Sequence, residues 1–331
     1  MIATKGAAAA RGFGRSLKNP GIEFESTNAS NQGFNGTYNW AEFNGTGSFT
    51  ISGVSPSNPL YIILVAGGGA GGDGNAAGGG GGGGGGVVKI ITKTLPDAEY
   101  DVIIGGGGAM RSRTSGQGYN GSASYIRQVG VGQSVYYTNG GGGGGSRDSN
   151  YINGSSGANG GGVGGLGGSL GSKNGGAGNL DTTSGSMMTS TANNTVNAYG
   201  GYDGGGSALS ASTDNWDEGT GGGGGANGAG GDGGTSVGSP GAGGSAVTLT
   251  LANTAANGLN TAQFGGGGGG GSNGSSGIGG ANAGRGYNSG GGDNCTSGLA
   301  NFGGGGGAGG VLTEPAEPHN GGSGKVFMWW E

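Results

Sequence analysis

Two kinds of pattern divide the chain: short stretches rich in apolar residues, and uninterrupted glycine runs. Alternation of apolar and polar residues predicts half-buried β-strands, and a short continuous apolar run is typical of a buried strand. No stretch has a convincing 3.6-residue apolar period, so the sequence predicts almost no α-helix. The predicted strands are Ile22–Glu25, Tyr38–Asn44, Ser48–Ile51, Leu60–Val65, Val87–Leu95, Glu99–Ile104, Ser122–Val129 and Lys325–Trp330.

Turn signals predict how some of these strands connect. Asn35-Gly36 and Asn44-Gly45 are dipeptides that favour hairpin turns. The segment Pro96-Asp97-Ala98 separates Val87–Leu95 from Glu99–Ile104, and we expect these two strands to pair across it.

Glycine accounts for 101 of the 331 residues, and much of it lies in runs. Glycine loses the most backbone entropy on ordering and has no side chain to bury, so a run folds only if backbones pack directly against one another. A low charged fraction of 9% and only seven prolines argue against a flexible linker. The runs are Gly78–Gly86, Gly105–Gly108, Gly140–Gly145, Gly221–Gly225, Gly265–Gly271 and Gly303–Gly307.

Two ordered glycine-rich forms are candidates for these runs. Collagen needs glycine at every third residue and abundant proline, which these runs do not have. The polyglycine II helix is an extended form with about three residues per turn. Its N–H and C=O groups point outward, so neighbouring helices must satisfy them.

Between residues 130 and 324, glycine runs alternate with irregular inserts rich in Asn, Ser and Thr, a pattern typical of antiparallel rods joined by loops. The predicted fold class is therefore all-β or irregular, with N-terminal β-structure followed by a glycine-rich sandwich of polyglycine II helices. The predicted parts are an arm at 1–21, a β-rich region at 22–129 that includes the first glycine runs, and a polyglycine II body at 130–331 that ends in a C-terminal strand.

Composition excludes several classes of function. The net charge of −5 provides no basic footprint for nucleic acid. The presence of one cysteine, Cys295, and one histidine, His319, argues against a disulfide scaffold, a metal cluster or a Cys/His nucleophile. Matches to Gly-x-Gly-x-x-Gly follow from composition and lack the required helix. We therefore expect no enzyme and no cofactor.

The order of strands and runs carries a family resemblance. The chain resembles the glycine-rich domain of bacteriophage tail fibres and adhesins over roughly residues 48–331. The resemblance implies a polyglycine II sandwich whose exposed loops bind host-surface receptors. Its aromatic end, Met328–Glu331, departs from the family, and residues 1–47 carry no match. The segments that carry the resemblance are Ser48–Ile51, Leu60–Gly69, Gly78–Ile90, Glu99–Gly108, Gly118–Tyr125 and Gly321–Phe327.

Aromatic and methionine residues in or beside the inserts are the candidate receptor-binding residues. Tyr and Trp supply rigid contact area with a polar edge, and Ser, Gly and Asn supply adaptable hydrogen bonds. The alternative is that these rings cap the glycine sandwich. Arg111 and Arg113 are candidates for contact with anionic sugars, or are solvated loop charges. The candidate residues are Tyr136, Tyr137, Tyr151, Met187, Met188, Tyr199, Tyr202 and Trp216.

These observations predict a tail-fibre or receptor-binding structural protein of the virion. Residues 1–21 contain basic residues and no acidic one, which favours an arm that docks on other tail or fibre proteins, the alternative being a frayed terminus. The expected partners are those proteins, a host-surface glycan or outer-membrane protein, and further copies of the chain, for example as a trimer. The alternatives are a virion protein without receptor contact, and an extracellular glycine-rich matrix or antifreeze-like protein.

The expected location follows from the N-terminal residues. Met1–Lys18 contain no apolar h-region, so we expect no signal peptide and synthesis in the host cytoplasm. No apolar run approaches the length of about 20 residues that a membrane helix needs, so we expect no membrane insertion.

Overall fold

A computed structural model describes residues 21–73, 79–111, 116–146, 152–165, 174–181, 184–207, 219–234, 239–252, 259–272, 279–284, 295–309 and 319–331. Within those ranges the protein is all-β and contains no helix, which confirms the all-β part of the predicted fold class. Its strands are β1 (Glu23–Thr27), β2 (Asn31–Phe34), β3 (Asn39–Phe43), β4 (Gly47–Ser52), β5 (Leu60–Val65), β6 (Val87–Thr92), β7 (Ala98–Ile103), β8 (Ser124–Gln128), β9 (Ser134–Thr138), β10 (Asn194–Tyr199), β11 (Val247–Ala252), β12 (Leu259–Phe264) and β13 (Lys325–Trp330).

Two antiparallel sheets form a β-sandwich. One has the strand order β1-β4-β7-β8-β9, and the other has the order β10-β6-β5-β13-β3-β2. Alternate side chains of both sheets point into a shared apolar core. Phe49 and Tyr100 of the first sheet stack there with ring centres 5.3 Å apart. Ile62 and Met328 of the second sheet are fully buried in the same core.

The six-stranded sheet is buried on its second face as well. The hairpin of β11 and β12 belongs to a second apolar cluster with Ile63, Val65, Phe327 and Trp329, whose side chains point away from the shared core. Burial on both faces explains why Leu60–Val65 is continuously apolar. The strand bounds predicted for β5 and β13 agree with those observed.

Two predicted strand connections are wrong. β6 lies between β10 and β5, whereas β7 lies between β4 and β8 in the other sheet, so the two do not pair across Pro96-Asp97-Ala98. Their apolar residues, such as Ile90 and Val102, meet in the shared core because the chain crosses between the sheets. Asn44-Gly45 likewise joins β3 to β4 in the other sheet, so it forms no hairpin.

The hairpin predicted at Asn35-Gly36 is confirmed. It joins β2 to β3, and the Asn35 side-chain oxygen accepts backbone N–H bonds from Thr37 and Tyr38 at 3.1 and 2.8 Å. Gly36 has a φ of 97°, a conformation that glycine adopts without steric cost.

Five strands lie where no strand was predicted: β2, β9, β10, β11 and β12. Residues 130–324 were predicted to hold only glycine runs and inserts, but Ser134–Thr138 form β9, which pairs with β8. The predicted division at residue 129 therefore falls in the turn between two paired strands. β13 lies between β3 and β5, so residues from both ends of the chain share one sheet.

Extended glycine-rich segments, which we call rods, continue from the strand ends at one end of the sandwich. Residues 66–73 follow β5 and residues 79–86 precede β6, and antiparallel pairing places these two strand ends together. Residues 105–111 follow β7 and residues 116–122 precede β8 in the other sheet. Gly67 N–H donates to the Ser122 carbonyl at 3.0 Å, so both sheets present their rods at the same end.

Hydrogen bonds of the rod at Gly79–Gly86 repeat every three residues. Every third N–H donates to the same neighbouring rod, at distances of 2.7–3.1 Å. The carbonyls of this rod accept N–H bonds from three other segments, for example from Gly72, Gly162 and Gly268, so the rod is surrounded by six neighbours. The acceptors are Gly309, Gly306 and Gly303 for Gly79, Gly82 and Gly85; Gly145, Gly142 and Asn139 for Gly80, Gly83 and Gly86; and Gly221 and Gly224 for Gly81 and Gly84.

At positions such as Gly82 and Gly268, the rods approach one another too closely for any other residue. A Cβ placed on Gly82 would lie 2.2 Å from the Gly69 carbonyl oxygen, and one on Gly268 would lie 2.1 Å from the Gly306 oxygen. The obstructing atoms are backbone, which cannot rotate away. Glycine is therefore a packing requirement at these positions.

Candidate functional site

The sandwich separates two ends of the molecule. The turn end holds Gly21 and the turns around Gly53 and Asp97, where the Gly53 N–H donates to an Asp97 carboxylate oxygen at 3.1 Å. The rod end holds the far ends of the rods, where the Gly79 N–H donates to the Gly309 carbonyl. Ile22 and β1 therefore begin at the end opposite to the rod end.

Three of the predicted contact residues lie in or against the shared core. Tyr136 is 0% exposed in the shared core, and burial raises the pKa of its phenol to about 12, so the ring is neutral at physiological pH. Met188 is buried in the same core, and Met187 is half-buried against it. The Met187 N–H donates to the Val135 carbonyl at 3.0 Å, which holds this segment beside β9. Tyr136 and Met188 therefore belong to the core and do not contribute to an exposed surface.

Tyr137 and Tyr199 are half-buried. Tyr137 lies on the outer face of its sheet and stacks on Tyr125 with ring centres 6.4 Å apart. Burial raises the pKa of the Tyr137 phenol, and the negative charge of Asp181 adds to this shift. Tyr199 is the last residue of β10 and packs against the second apolar cluster. Both rings are thus held in place by neighbouring side chains.

Among the described candidate contact residues, Tyr202 lies on a rod and is exposed at the surface. Its side chain is 39% exposed, and its backbone is fixed because the Gly160 N–H donates to its carbonyl at 2.9 Å. Tyr151 and Trp216 lie outside the described residues.

The structure brings together exposed residues that the sequence analysis did not group into one site. Tyr119 is 50% exposed, and the Arg111 guanidinium lies over its ring at 4.8 Å from the ring centre. The exposed Met110 donates its N–H to the Asn320 side-chain oxygen at 2.7 Å. The Asn320 carbonyl accepts the N–H of Gly298, which precedes the exposed Leu299. We call Met110, Arg111, Tyr119, Leu299 and Asn320 the lateral patch.

The lateral patch rests on rigid backbone. Asn120, next to Tyr119, accepts the Gly143 N–H through its side-chain oxygen at 2.8 Å and donates to the Ser156 carbonyl at 3.1 Å. Tyr119 itself accepts the Ala70 N–H at 2.9 Å through its carbonyl. An exposed aromatic ring, a guanidinium and an amide on a fixed scaffold are the groups that bind a sugar ring or a peptide.

The sequence contained a signal for part of this patch. Arg111 was a candidate for sugar contact, and Tyr119 is an aromatic residue in a stretch that contains Gly116, Gly118 and Gly121. Tyr119 was instead interpreted only as part of the segment Gly118–Tyr125. The contact between Arg111 and Tyr119 depends on how two rods align, which the local sequence does not encode.

A comparison with protein families identifies the scaffold. The model of a family described as a glycine-rich domain matches residues 43–248, which is more than half of the chain. The chain belongs to this glycine-rich domain family. A comparison with curated proteins gave no match.

The matched range of this glycine-rich domain protein includes some of the candidate residues and leaves others out. Met110, Arg111, Tyr119 and Tyr202 lie inside the matched range, whereas Leu299 and Asn320 lie beyond it. In the described ranges, no group of three or more His, Cys, Asp or Glu side chains is placed to hold a metal ion. Nor do those ranges contain a helix long and apolar enough to cross a membrane.

Proposed function

We propose that the protein is a bacteriophage tail-fibre or receptor-binding (adhesin) structural protein that recognises the host surface through side chains carried on a polyglycine II scaffold. The observation that carries this proposal is the separation of the two ends. The chain begins β1 at the turn end, and the rods extend from the opposite end. One end is thus available for attachment to a particle while the other faces outward.

The polyglycine II assignment is part of the proposal. The three-residue repeat of hydrogen bonds around Gly79–Gly86 is the period of that helix, and its N–H groups bond to neighbours instead of within the rod. With a rise of about 3.1 Å per residue, the eight residues of this rod extend roughly 25 Å. Along such rods, Tyr119 lies five residues before β8, whereas Tyr202 lies three residues after β10 and so close to the sandwich.

Recognition falls to the side chains that this scaffold exposes. Loops and surface positions on a rigid framework carry binding in many proteins. The Arg111–Tyr119 pair and Tyr202 are the described residues that suit a host-surface glycan or an outer-membrane protein. We further propose that the N-terminal region docks on other tail or fibre proteins of the virion, after synthesis in the host cytoplasm.

Attachment to host cells tests the proposal. We expect the triple variant Arg111→Ala, Tyr119→Ala, Tyr202→Ala to attach to host cells at least roughly tenfold more weakly, since anchor residues at contacts typically contribute about 2 kcal/mol or more and about 1.4 kcal/mol corresponds to one decade. Circular dichroism should be unchanged because these side chains lie at the surface.

The matched control is Phe34→Ala, which removes an aromatic ring that is 54% exposed outside the lateral patch. Its attachment should equal that of the unaltered protein. Full attachment of the triple variant would contradict the assignment of these residues. Failure of the unaltered protein to bind any host cell would contradict the receptor-binding function as a whole.

A further inference from the structure

A cleft of about 500 Å³ opens between β1 and β2 at the turn end. Phe24 and Trp330 form its aromatic floor, with ring centres 4.7 Å apart. Glu23 and Glu25 are exposed on its rim, and the described residues that line it include no lysine or arginine. The cleft therefore combines apolar and negatively charged surface.

Strand edges form the two sides of the cleft. Among the described strands, β1 pairs with β4 alone and β2 pairs with β3 alone, so each has one edge without a partner strand. The Ser26 hydroxyl donates to the Gln32 side-chain oxygen at 2.8 Å, which bridges β1 and β2 on the side nearer the rods. A free strand edge beside side-chain pockets is a site where an extended segment binds by strand addition.

An exposed aromatic ring lies beside the cleft on β2. Phe34 is 54% exposed, and it shares one face of β2 with Gln32, which lines the cleft, because alternate residues of a strand point to the same face. Asn39 lies opposite Phe34 in the pairing of β2 with β3 and also lines the cleft. A segment lying along the free edge of β1 would therefore cover apolar surface that is now in contact with water.

The alternation along β1 determines which segment fits this edge. Phe24 packs against the shared core, whereas Glu23 and Glu25 are exposed on the outer face. A strand added to β1 follows the same alternation, so its inward residues meet the aromatic floor and its outward residues lie beside the two carboxylates. Charge complementarity therefore favours a segment in which apolar and basic residues alternate.

The same two carboxylates act against one alternative occupant. If β1 of a second copy paired with β1, their glutamate side chains would meet on one face of the new sheet. Like charges on neighbouring strands destabilise such a pair. The edge is therefore better suited to a segment of opposite charge than to itself.

We propose that the cleft binds an extended segment of a neighbouring virion protein, in which apolar and basic residues alternate, by strand addition to β1. This inference rests on the proposed attachment of the turn end to a particle, and it specifies the surface and the chemistry of that contact. Five residues form β1, so the paired segment is of similar length. The contact lies at the turn end and leaves the rod end free.

Binding of a synthetic peptide to the purified full-length protein tests this proposal. The probe is the end-capped peptide Lys-Val-Lys-Phe-Lys-Val-Lys, and titration calorimetry gives its Kd. We expect the double variant Glu23→Lys, Glu25→Lys to raise this Kd at least roughly tenfold, which corresponds to about 1.4 kcal/mol. Phe34→Ala should also raise it, because the peptide no longer covers that ring. All three side chains are exposed, so circular dichroism of the variants should be unchanged.

Two controls separate strand addition from general attraction between opposite charges. Glu99 is exposed in β7 and lies in register with Glu25, with Thr50 of β4 between them, so it is away from the free edge. Glu99→Lys should leave the Kd nearly unchanged. A peptide of the same composition, with its lysines grouped at one end, should bind at least roughly tenfold more weakly than the alternating peptide. Hydrogen exchange should show that the alternating peptide protects amides of β1.

Several outcomes would overturn the proposal. One is no measurable binding to the unaltered protein, and another is a Kd that the reversal at Glu23 and Glu25 leaves unchanged. Binding that appears only in the variant Arg11→Glu, Arg15→Glu, Lys18→Glu would assign the cleft to basic residues of this chain. A solution mass above the 30.8 kDa of one chain, which the peptide lowers, would assign it to a second copy.

The measurement is independent of attachment to host cells. Peptide binding by a protein that attaches to no host cell would support this inference and contradict receptor binding. Host attachment through the lateral patch without peptide binding would contradict this inference alone.

Discussion

We expect Gly82→Val to prevent the protein from folding to a soluble form. Gly82 lies mid-rod, and a Cβ there would be 2.2 Å from the Gly69 carbonyl oxygen and 2.7 Å from that of Ala70. Overpacking a close-packed core typically costs about 1–3 kcal/mol and occasionally more. The cost here should exceed that range because the contacting atoms are backbone held by neighbouring rods. Soluble yield and urea unfolding followed by circular dichroism measure the effect.

Two adjacent glycines of another run provide a matched control. A Cβ on Gly106 would meet no atom within 4 Å, whereas one on Gly107 would lie 1.9 Å from the Gly321 carbonyl oxygen. Gly106→Ala should therefore leave the free energy of unfolding within about 0.5 kcal/mol of its original value, as for most surface substitutions. Gly107→Ala should lower it substantially. Equal tolerance at Gly82, Gly106 and Gly107 would disprove close backbone packing of the rods.

The second large effect concerns Tyr136. Because its ring is fully buried between the sheets, we expect Tyr136→Ala to lower the free energy of unfolding by about 3–5 kcal/mol, as for other large aromatic residues in cores. Denaturant unfolding at a fixed pH measures the change.

The control for this prediction is Tyr202→Ala, which removes an exposed ring and should change stability by less than about 0.5 kcal/mol. Tyr136→Phe keeps the ring and should retain most of the stability. A Tyr136→Ala protein with unchanged stability and weakened attachment to host cells would contradict the core position and restore the recognition role.

Local pattern was sufficient for some elements of the fold. Leu60–Val65 and Lys325–Trp330 are strands with the predicted bounds, since continuous runs of five or six apolar residues suit a sheet covered on both faces. The strand β11 was missed although Val247–Leu251 alternates apolar residues with threonine, because the whole stretch was interpreted as an insert; its partner β12 has no such alternation. The pairing of β6 and β7 was wrong because sheet membership depends on contacts that are distant in sequence.

The candidate site was harder to predict than the fold. Tyr136 and Tyr137 are adjacent, yet one ring is in the core and the other is on the outer face, because successive side chains of a strand point to opposite faces. Composition marked both as contact residues and could not separate them. Arg111 and Tyr119 come together only because neighbouring rods align. That alignment is set by backbone hydrogen bonds, mostly between glycines, and the sequence does not distinguish one glycine of a run from another.

Hydrogen exchange of the glycine amides tests most directly the central claim that the rods are ordered and bonded to one another. The measurement is native-state exchange of the amides in the rod at residues 79–86, read by mass spectrometry or nuclear magnetic resonance. Each of these N–H groups donates to a neighbouring rod within 3.1 Å, so we predict protection for minutes or longer. Exchange of the same amides at the random-coil rate would contradict the account.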